Sequence, residues 1–110
     1  MSLVAIKFSE DMALAAMEGR KICTSRHDQK GEIGDTFFVV HPETKKIGAF
    51  RIVDVDFLEL REIGNKLYRK EGCSSREEFI SLWKRLHRGH YSPDNKYFVH
   101  WFSRVVGEIR

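Results

Sequence analysis

Eight residues, Gly19-Arg20-Lys21-Ile22-Cys23-Thr24-Ser25-Arg26, gather three cations, a threonine and a cysteine directly after a helix-ending glycine. A threonine hydroxyl becomes a nucleophile only when a base takes its proton, and Lys21 is the nearest candidate. A free lysine titrates near ~10.4, so service as a base near neutrality needs a downward shift of roughly 3 units, or about 4 kcal/mol. Like-charge repulsion from Arg20 and Arg26 would supply part of that and burial the rest. The alternative keeps Lys21 a permanent cation that contacts a phosphate or a base carbonyl. Arg26 suits a phosphate or carboxylate through paired hydrogen bonds, or else a structural ion pair with Asp35 or Asp54. Cys23 is expected as a buried, inert thiol.

Strand geometry sets a condition on this run. Thr24 and Arg26 share parity along an extended chain, whereas Lys21 has the opposite parity. All three face one pocket only if the backbone turns or bulges near Ile22 and Cys23. Gly19 just upstream makes an irregular entry feasible.

The elements that must position the run follow from the patterning. Val4, Ile6 and Phe8 alternate with other residues as a short strand does. Ser9 caps a helix whose first turn carries Glu10 and Asp11, Ala13, Ala15 and Ala16 favour the helix, and Gly19 terminates it. Residues 27–34 read as a loop, and Thr36 to Val40 as a strand after the Gly34-Asp35 turn. Ile47 to Phe57 forms a long strand with Val53, Val55 and Phe57 on one face and Asp54 and Asp56 on the other. Its length of roughly 36 Å against a gyration radius of about 13 Å implies a curved sheet. Leu60 to Tyr68 is a short helix. Ser75-Arg76-Glu77-Glu78 is a capping box ahead of the apolar stripe Phe79, Ile80, Trp83 and Leu86, with Gly89 as terminator. Tyr97 to Val106 is the last strand. The order predicts an α+β fold with a mostly antiparallel sheet.

Length and composition bound the rest. The chain of 110 residues suits one domain over 1–110. No apolar run approaches the ~20 residues of a membrane span, and Met1-Ser2-Leu3-Val4 lacks the layout of a secretory leader. A cytoplasmic protein with no membrane partner is expected, with Cys23 and Cys73 as reduced thiols. The net charge of +3 permits a polyanion without requiring one. Lys66, Arg69, Lys70, Arg76, Lys84, Arg85 and Arg88, with His87 and His90 nearby, read first as a solvated face interleaved with Glu71, Glu77 and Glu78. A second option is a protein-interaction surface. Trp83 and Trp101 are assigned to the core, whereas Tyr91 in its basic loop is the exposed aromatic able to stack on a base. His87 and His90 lack the Cys or carboxylate partners of a zinc site, so neither metal nor cofactor is expected.

The same residues resemble the ASCH domain family of the PUA-like superfamily. Its signature G-x-K-x-x-x-x-R is filled by Gly19, Lys21 and Arg26. Gly34-Asp35 is similar to the family's turn before a strand, and Val53-Asp54-Val55 to its central strand. Glu71-Gly72, Ser74 or Ser75 and Glu77-Glu78-Phe79 are similar to its helix entry, and Trp83 and Trp101-Phe102 also fit. The resemblance implies a small curved β-barrel flanked by two to three helices, and a cleft that binds RNA or a modified nucleoside. It places Gly19, Arg20, Arg26 and Tyr91 as ligand-binding residues. Some members of the family are amidohydrolases that remove the acetyl group of N4-acetylcytidine, and others are linked to ribonuclease activity. The small amidohydrolases read G-R-K-T-x-T-x-R. The match implies Lys21 as base, Thr24 as nucleophile and Glu71 as proton shuttle, with Ile22 standing where those enzymes carry a further threonine.

Overall fold

The computed structural model describes residues 2–106. Seven elements follow one another along the chain: α1 (Glu10–Met17), β1 (Cys23–Arg26), β2 (Thr36–Val40), β3 (Ile47–Glu59), α2 (Leu60–Lys66), α3 (Arg76–Leu86) and β4 (Lys96–Arg104). The strands form one antiparallel sheet in the order β1-β4-β3-β2, curled into a half-barrel.

Local chemistry starts and stops the helices as the sequence leads one to expect. Ser9 Oγ accepts from Met12 N at 3.3 Å. Gly19, at φ +83°, reverses the chain after α1, and the amides of Gly19 and Arg20 return to the carbonyls of Ala16 and Ala15. At α3, Ser75 Oγ accepts from Glu78 N at 3.0 Å. Glu78 Oε1 returns the bond to Ser74 N at 2.8 Å, one residue earlier than in the usual capping box.

Alternation along β4 splits the core between the two faces of the sheet. Phe102 belongs to a cluster with Ile6, Ala13, Ala16, Phe37, Val39, Phe50 and Ile52, beneath α1 and the N-terminal segment. Tyr97 and Val99 belong to a second cluster with Cys23, Leu60, Ile63, Cys73, Phe79 and Trp83, beneath α2 and α3. Helices therefore cover both faces, and they approach each other at the β1 edge.

Two segments depart from expectation. Val4, Ile6 and Phe8 do not form a strand. Only Leu3 makes a bridge, parallel to Thr36, and from there the segment crosses the first cluster without a ladder partner. The alternation in β3 is also interrupted. Its register against β4 shifts between Ile52 and Asp54, which leaves Val53 as an inserted, exposed residue. Phe50 and Ile52 before the bulge and Val55 after it consequently pack against the same cluster. The last strand ends at Arg104 and not at Val106.

His100 ties β4 to the loop that follows β1. Its ring is fully buried. Nε2 accepts from Lys30 N at 2.9 Å, so Nδ1 carries the proton and donates to Thr24 O at 3.2 Å. Burial lowers the pKa of His100 below the usual histidine value, and the Arg26 charge adds to the effect. The fold therefore holds the neutral ring, while the unfolded chain takes up its proton near pH ~6.5. Stability should be full above about pH 6.5 and fall as the pH drops below it, with a slope of at most about 1.4 kcal/mol per pH unit from this group. Urea unfolding between pH 7.5 and 5 checks this. A His100→Gln variant, whatever its absolute stability, should show a shallower slope across that window.

Candidate functional site

Glu71 is the centre of the site. It follows α2, and its amide donates to Leu67 O at 2.9 Å. Lys21 forms an isolated antiparallel bridge with it. Lys21 Nζ donates to Glu71 Oε1 at 2.9 Å and to Glu71 O at 3.1 Å. Ser25 Oγ donates to the other carboxylate oxygen, Oε2, at 2.5 Å. Lys21 is 3% exposed, Glu71 5% and Ser25 7%, so this is a buried charge pair, not a surface bridge.

The irregularity required by the parity argument lies between Lys21 and β1. The amides of Ile22 and Cys23 both donate to the carbonyl of Lys70, at 2.7 and 3.1 Å. Two consecutive donors on one acceptor break the strand alternation, and regular pairing begins only at Cys23 opposite Trp101. Lys21 thereby lines the same cleft as Thr24, Ser25 and Arg26.

That cleft has a volume of about 270 Å³. Lys21, Ser25 and Glu71 lie at its polar end, and Met12, Leu82, Trp83 and Leu86 supply apolar wall. Among its lining residues the cations Lys7, Lys21 and Arg26 face one carboxylate, Glu71. The volume lies just below the ~300–1,000 Å³ typical of ligand pockets, which suits a small ligand. Thr24 Oγ1 accepts from Arg26 Nε at 3.1 Å, which leaves its own proton available to a ligand. Arg26 makes no ion pair among the described residues, so Asp35 and Asp54 are not its partners. Its guanidinium sits 5.3 Å from the Phe8 ring centroid, and the Lys21 ammonium sits 5.8 Å from the same ring. Burial lowers the pKa of Arg26, and Glu71 acts against that shift. Asp35 instead accepts from Ser2 N and Glu32 N, and these backbone bonds hold its carboxyl below the usual range.

Lys21, Thr24, Arg26 and Glu71 thus share one cleft, and three other expected residues lie outside it. Gly19 only ends α1. Arg20 points to the surface, where it pairs with Glu18 at 2.8 Å. Tyr91 packs against the α2–α3 cluster with its hydroxyl buried and unpartnered, because the loop folds back over α2. Cys23 is free and fully buried, and burial, reinforced by Glu71, pushes its thiol far above the ordinary range. Burial also pushes Cys73 up to about 11. Ser25 is the site residue that sequence reasoning missed. Parity gives no signal for it, because the break at Ile22 and Cys23 uncouples Lys21 from the alternation of β1.

Gly72 explains why a glycine follows Glu71. It sits at φ +98°, and a Cβ there would lie 3.1 Å from Ala15 Cβ and 3.2 Å from Lys21 Cβ. Gly19 has φ +83° but open space around it. In denaturant titrations Gly72→Ala should cost about 2–3 kcal/mol and Gly19→Ala about 1 kcal/mol, because only the former adds crowding to the strain. Removing one partner of a buried pair strands the other charge, so Glu71→Leu alone should cost about 3–5 kcal/mol. Glu71→Leu combined with Lys21→Met should recover most of that loss, since a well-packed apolar pair replaces the ions at little cost. A double-mutant cycle on unfolding free energies reads this directly; additive losses would contradict a coupled pair.

No family model matches the sequence, and no curated protein matches it. The fold has solved counterparts. An ASCH domain structure from Lactobacillus crispatus JV V101 superposes with a TM-score of 0.66 at 14% identity, covering 94% of this chain and 78% of its own. A DUF984 protein from Enterococcus faecalis V583 superposes with a TM-score of 0.66 at 16% identity, covering 94% of this chain and 75% of its own. A four-stranded curled sheet with three helices, matched over nearly its whole length, gives this chain the fold of the ASCH domains.

Proposed function

We propose that this chain is an ASCH-type domain whose cleft binds the base of a nucleoside or of RNA. The observation that carries the reading is the buried Lys21–Glu71–Ser25 network opening on a small cleft with an apolar wall. Lys21 spends two of its three N–H groups on Glu71, and the third is unengaged among the described residues. A base carbonyl is a natural acceptor for it, while Thr24 and Arg26 supply further donors. The apolar wall covers the faces of the ring. A buried polar network of this kind costs desolvation that packing alone would not require. A ligand that uses it accounts for its presence.

Deacylation of an N4-acetylcytidine-like substrate is a second reading. It is favoured by the Thr24 hydroxyl, held by Arg26 in the same cleft as the Lys21–Glu71 pair. In that reading Thr24 Oγ attacks the acetyl carbonyl, Lys21 in its neutral form accepts the hydroxyl proton, and Glu71 relays that proton from Lys21 to the departing cytosine amine. Water then releases acetate from the threonine ester. Lys21 is a hydrogen-bond donor to Glu71 in the structure, the role that binding needs and the opposite of the role a base needs. Binding is therefore the primary reading.

Calorimetric titration with cytidine and with N4-acetylcytidine tests both. Saturable binding that weakens at least tenfold in Lys21→Met/Glu71→Leu supports the cleft assignment. Absence of binding to either nucleoside and to short RNA refutes it. Acetate release that is lost in Lys21→Ala would promote the second reading. No turnover at high protein concentration would remove it.

A further inference from the structure

Two adjacent hydroxyls line the cleft, and they differ in what holds them. Neighbours on a strand point to opposite faces. β1 is an outer strand, so both of its faces border the cleft. Thr24 Oγ1 accepts from Arg26 Nε at 3.1 Å, and no side chain accepts its proton among the described residues. Ser25 Oγ donates to Glu71 Oε2 at 2.5 Å, the length of a charge-assisted O–H···O bond. No imidazole serves either hydroxyl. The His27 ring bonds Asp28, His87 bonds the carbonyl of Trp83, and His100 bonds backbone groups of Lys30 and Thr24.

A catalytic nucleophile has a base within hydrogen-bond reach and a third group that orients the base. Ser25 meets both conditions. Glu71 Oε2 is the base, and Lys21 Nζ orients it by donating to Oε1 at 2.9 Å and to the Glu71 carbonyl at 3.1 Å. Lysine as a donor is then the role the chemistry needs, whereas attack by Thr24 needs Lys21 as a proton acceptor. Thr24 keeps a different part. Its uncommitted proton and the third N–H of Lys21 are the donors that the cleft offers to a developing oxyanion. Ser25, Glu71 and Lys21 are buried yet line the cleft, so the base is sheltered from bulk water at the point where a carbonyl would enter.

We infer that Ser25 is a nucleophile that takes the acyl group of a small amide or ester, with Glu71 as its base and Lys21 as the group that orients the base. The inference rests on the deacylation reading in placing an acyl group in the cleft, and it moves the attack from Thr24 to Ser25. The Ser25 hydroxyl proton passes to Glu71 Oε2 as Oγ bonds to the acyl carbon. The C–N bond of the amide, or the C–O bond of the ester, then breaks, and Glu71 gives that proton to the departing nitrogen or oxygen. In the second half a water gives a proton to Glu71 and bonds through its oxygen to the acyl carbon. The bond from Ser25 Oγ to the acyl carbon breaks, and the proton on Glu71 restores the Ser25 hydroxyl. The products are the amine or alcohol and the carboxylic acid.

Acid-quenched mixtures of the intact chain with p-nitrophenyl acetate, an activated ester that needs no nucleoside contacts, test this by mass spectrometry and peptide mapping. One acetyl group should appear on Ser25, with a burst of p-nitrophenolate. Thr24→Val should keep the acetyl group on Ser25. Ser25→Cys, which leaves a nucleophile in place, should carry it as a thioester. Ser25→Ala should lose it and slow acetate release from N4-acetylcytidine by roughly a hundredfold or more. Mapping on the unaltered chain decides the matter even if Ser25→Ala does not fold. An acetyl group on Thr24, or acetate release that Ser25→Ala leaves unchanged, would overturn Ser25 as nucleophile and leave the deacylation reading standing. Acetylation of lysines alone, or none, together with no acetate release, would overturn both. Cytidine binding measured beside that result would leave the binding reading intact.

Discussion

A lysine and a glutamate placed together beneath the surface set the terms for the surrounding structure. Each loses several kcal/mol of hydration on burial, and the loss is tolerable only if the geometry is good and every remaining polar atom is served. Here Lys21 meets both the carboxylate and the carbonyl of Glu71, and Ser25 serves the second carboxylate oxygen. Gly72 lets the chain leave Glu71 without colliding with Lys21. The shared carbonyl of Lys70 takes the two amides that the break in β1 would otherwise leave unpaired. These local features make sense as accommodations to one buried pair.

The pair also fixes where the two halves of the core meet. Lys21 arrives from α1, which covers one face of the sheet, and Glu71 from the segment between α2 and α3, which cover the other. The cleft is the gap left along that junction. Its contrast of a polar end and an apolar wall is inherited from this position: charge from the β1 edge, hydrocarbon from the exposed flank of α3.

Much of this was legible in the residues and some of it was not. Helix ends were readable because caps are local: Ser9, Gly19 and Ser75 act within four residues of themselves. The strand patterns at 36–40 and 47–57 were readable from β-branched and aromatic content. The requirement for a backbone break near Ile22 was also visible, since Lys21 and Thr24 have opposite parity. What stops it being more than a requirement is that the acceptor, Lys70, lies far along the chain. The Val53 bulge was hidden for a similar reason, because the alternation of valine and aspartate around it looks regular. Val4 to Phe8 has a strand's pattern, but beyond Leu3 it makes no bridge. Tyr91 was misplaced because a tyrosine in a basic loop reads as exposed until the loop is seen to fold back onto Gly64 and the helices.

The doubly accepting carbonyl of Lys70 has a consequence beyond the site. An open sheet exposes two outer strands, and unpaired edge amides invite pairing with another chain. Both outer strands here are short: four residues in β1 and five in β2. β2 is covered at its start by the N-terminal segment, where Val4 N donates to Thr36 O and Thr36 N to Ser2 O. β1 is covered at its start by Lys70, and its entry is bent out of the strand path by the same bonds. The backbone kink that turns Lys21 toward the cleft therefore also guards that edge of the half-barrel against strand-to-strand self-association.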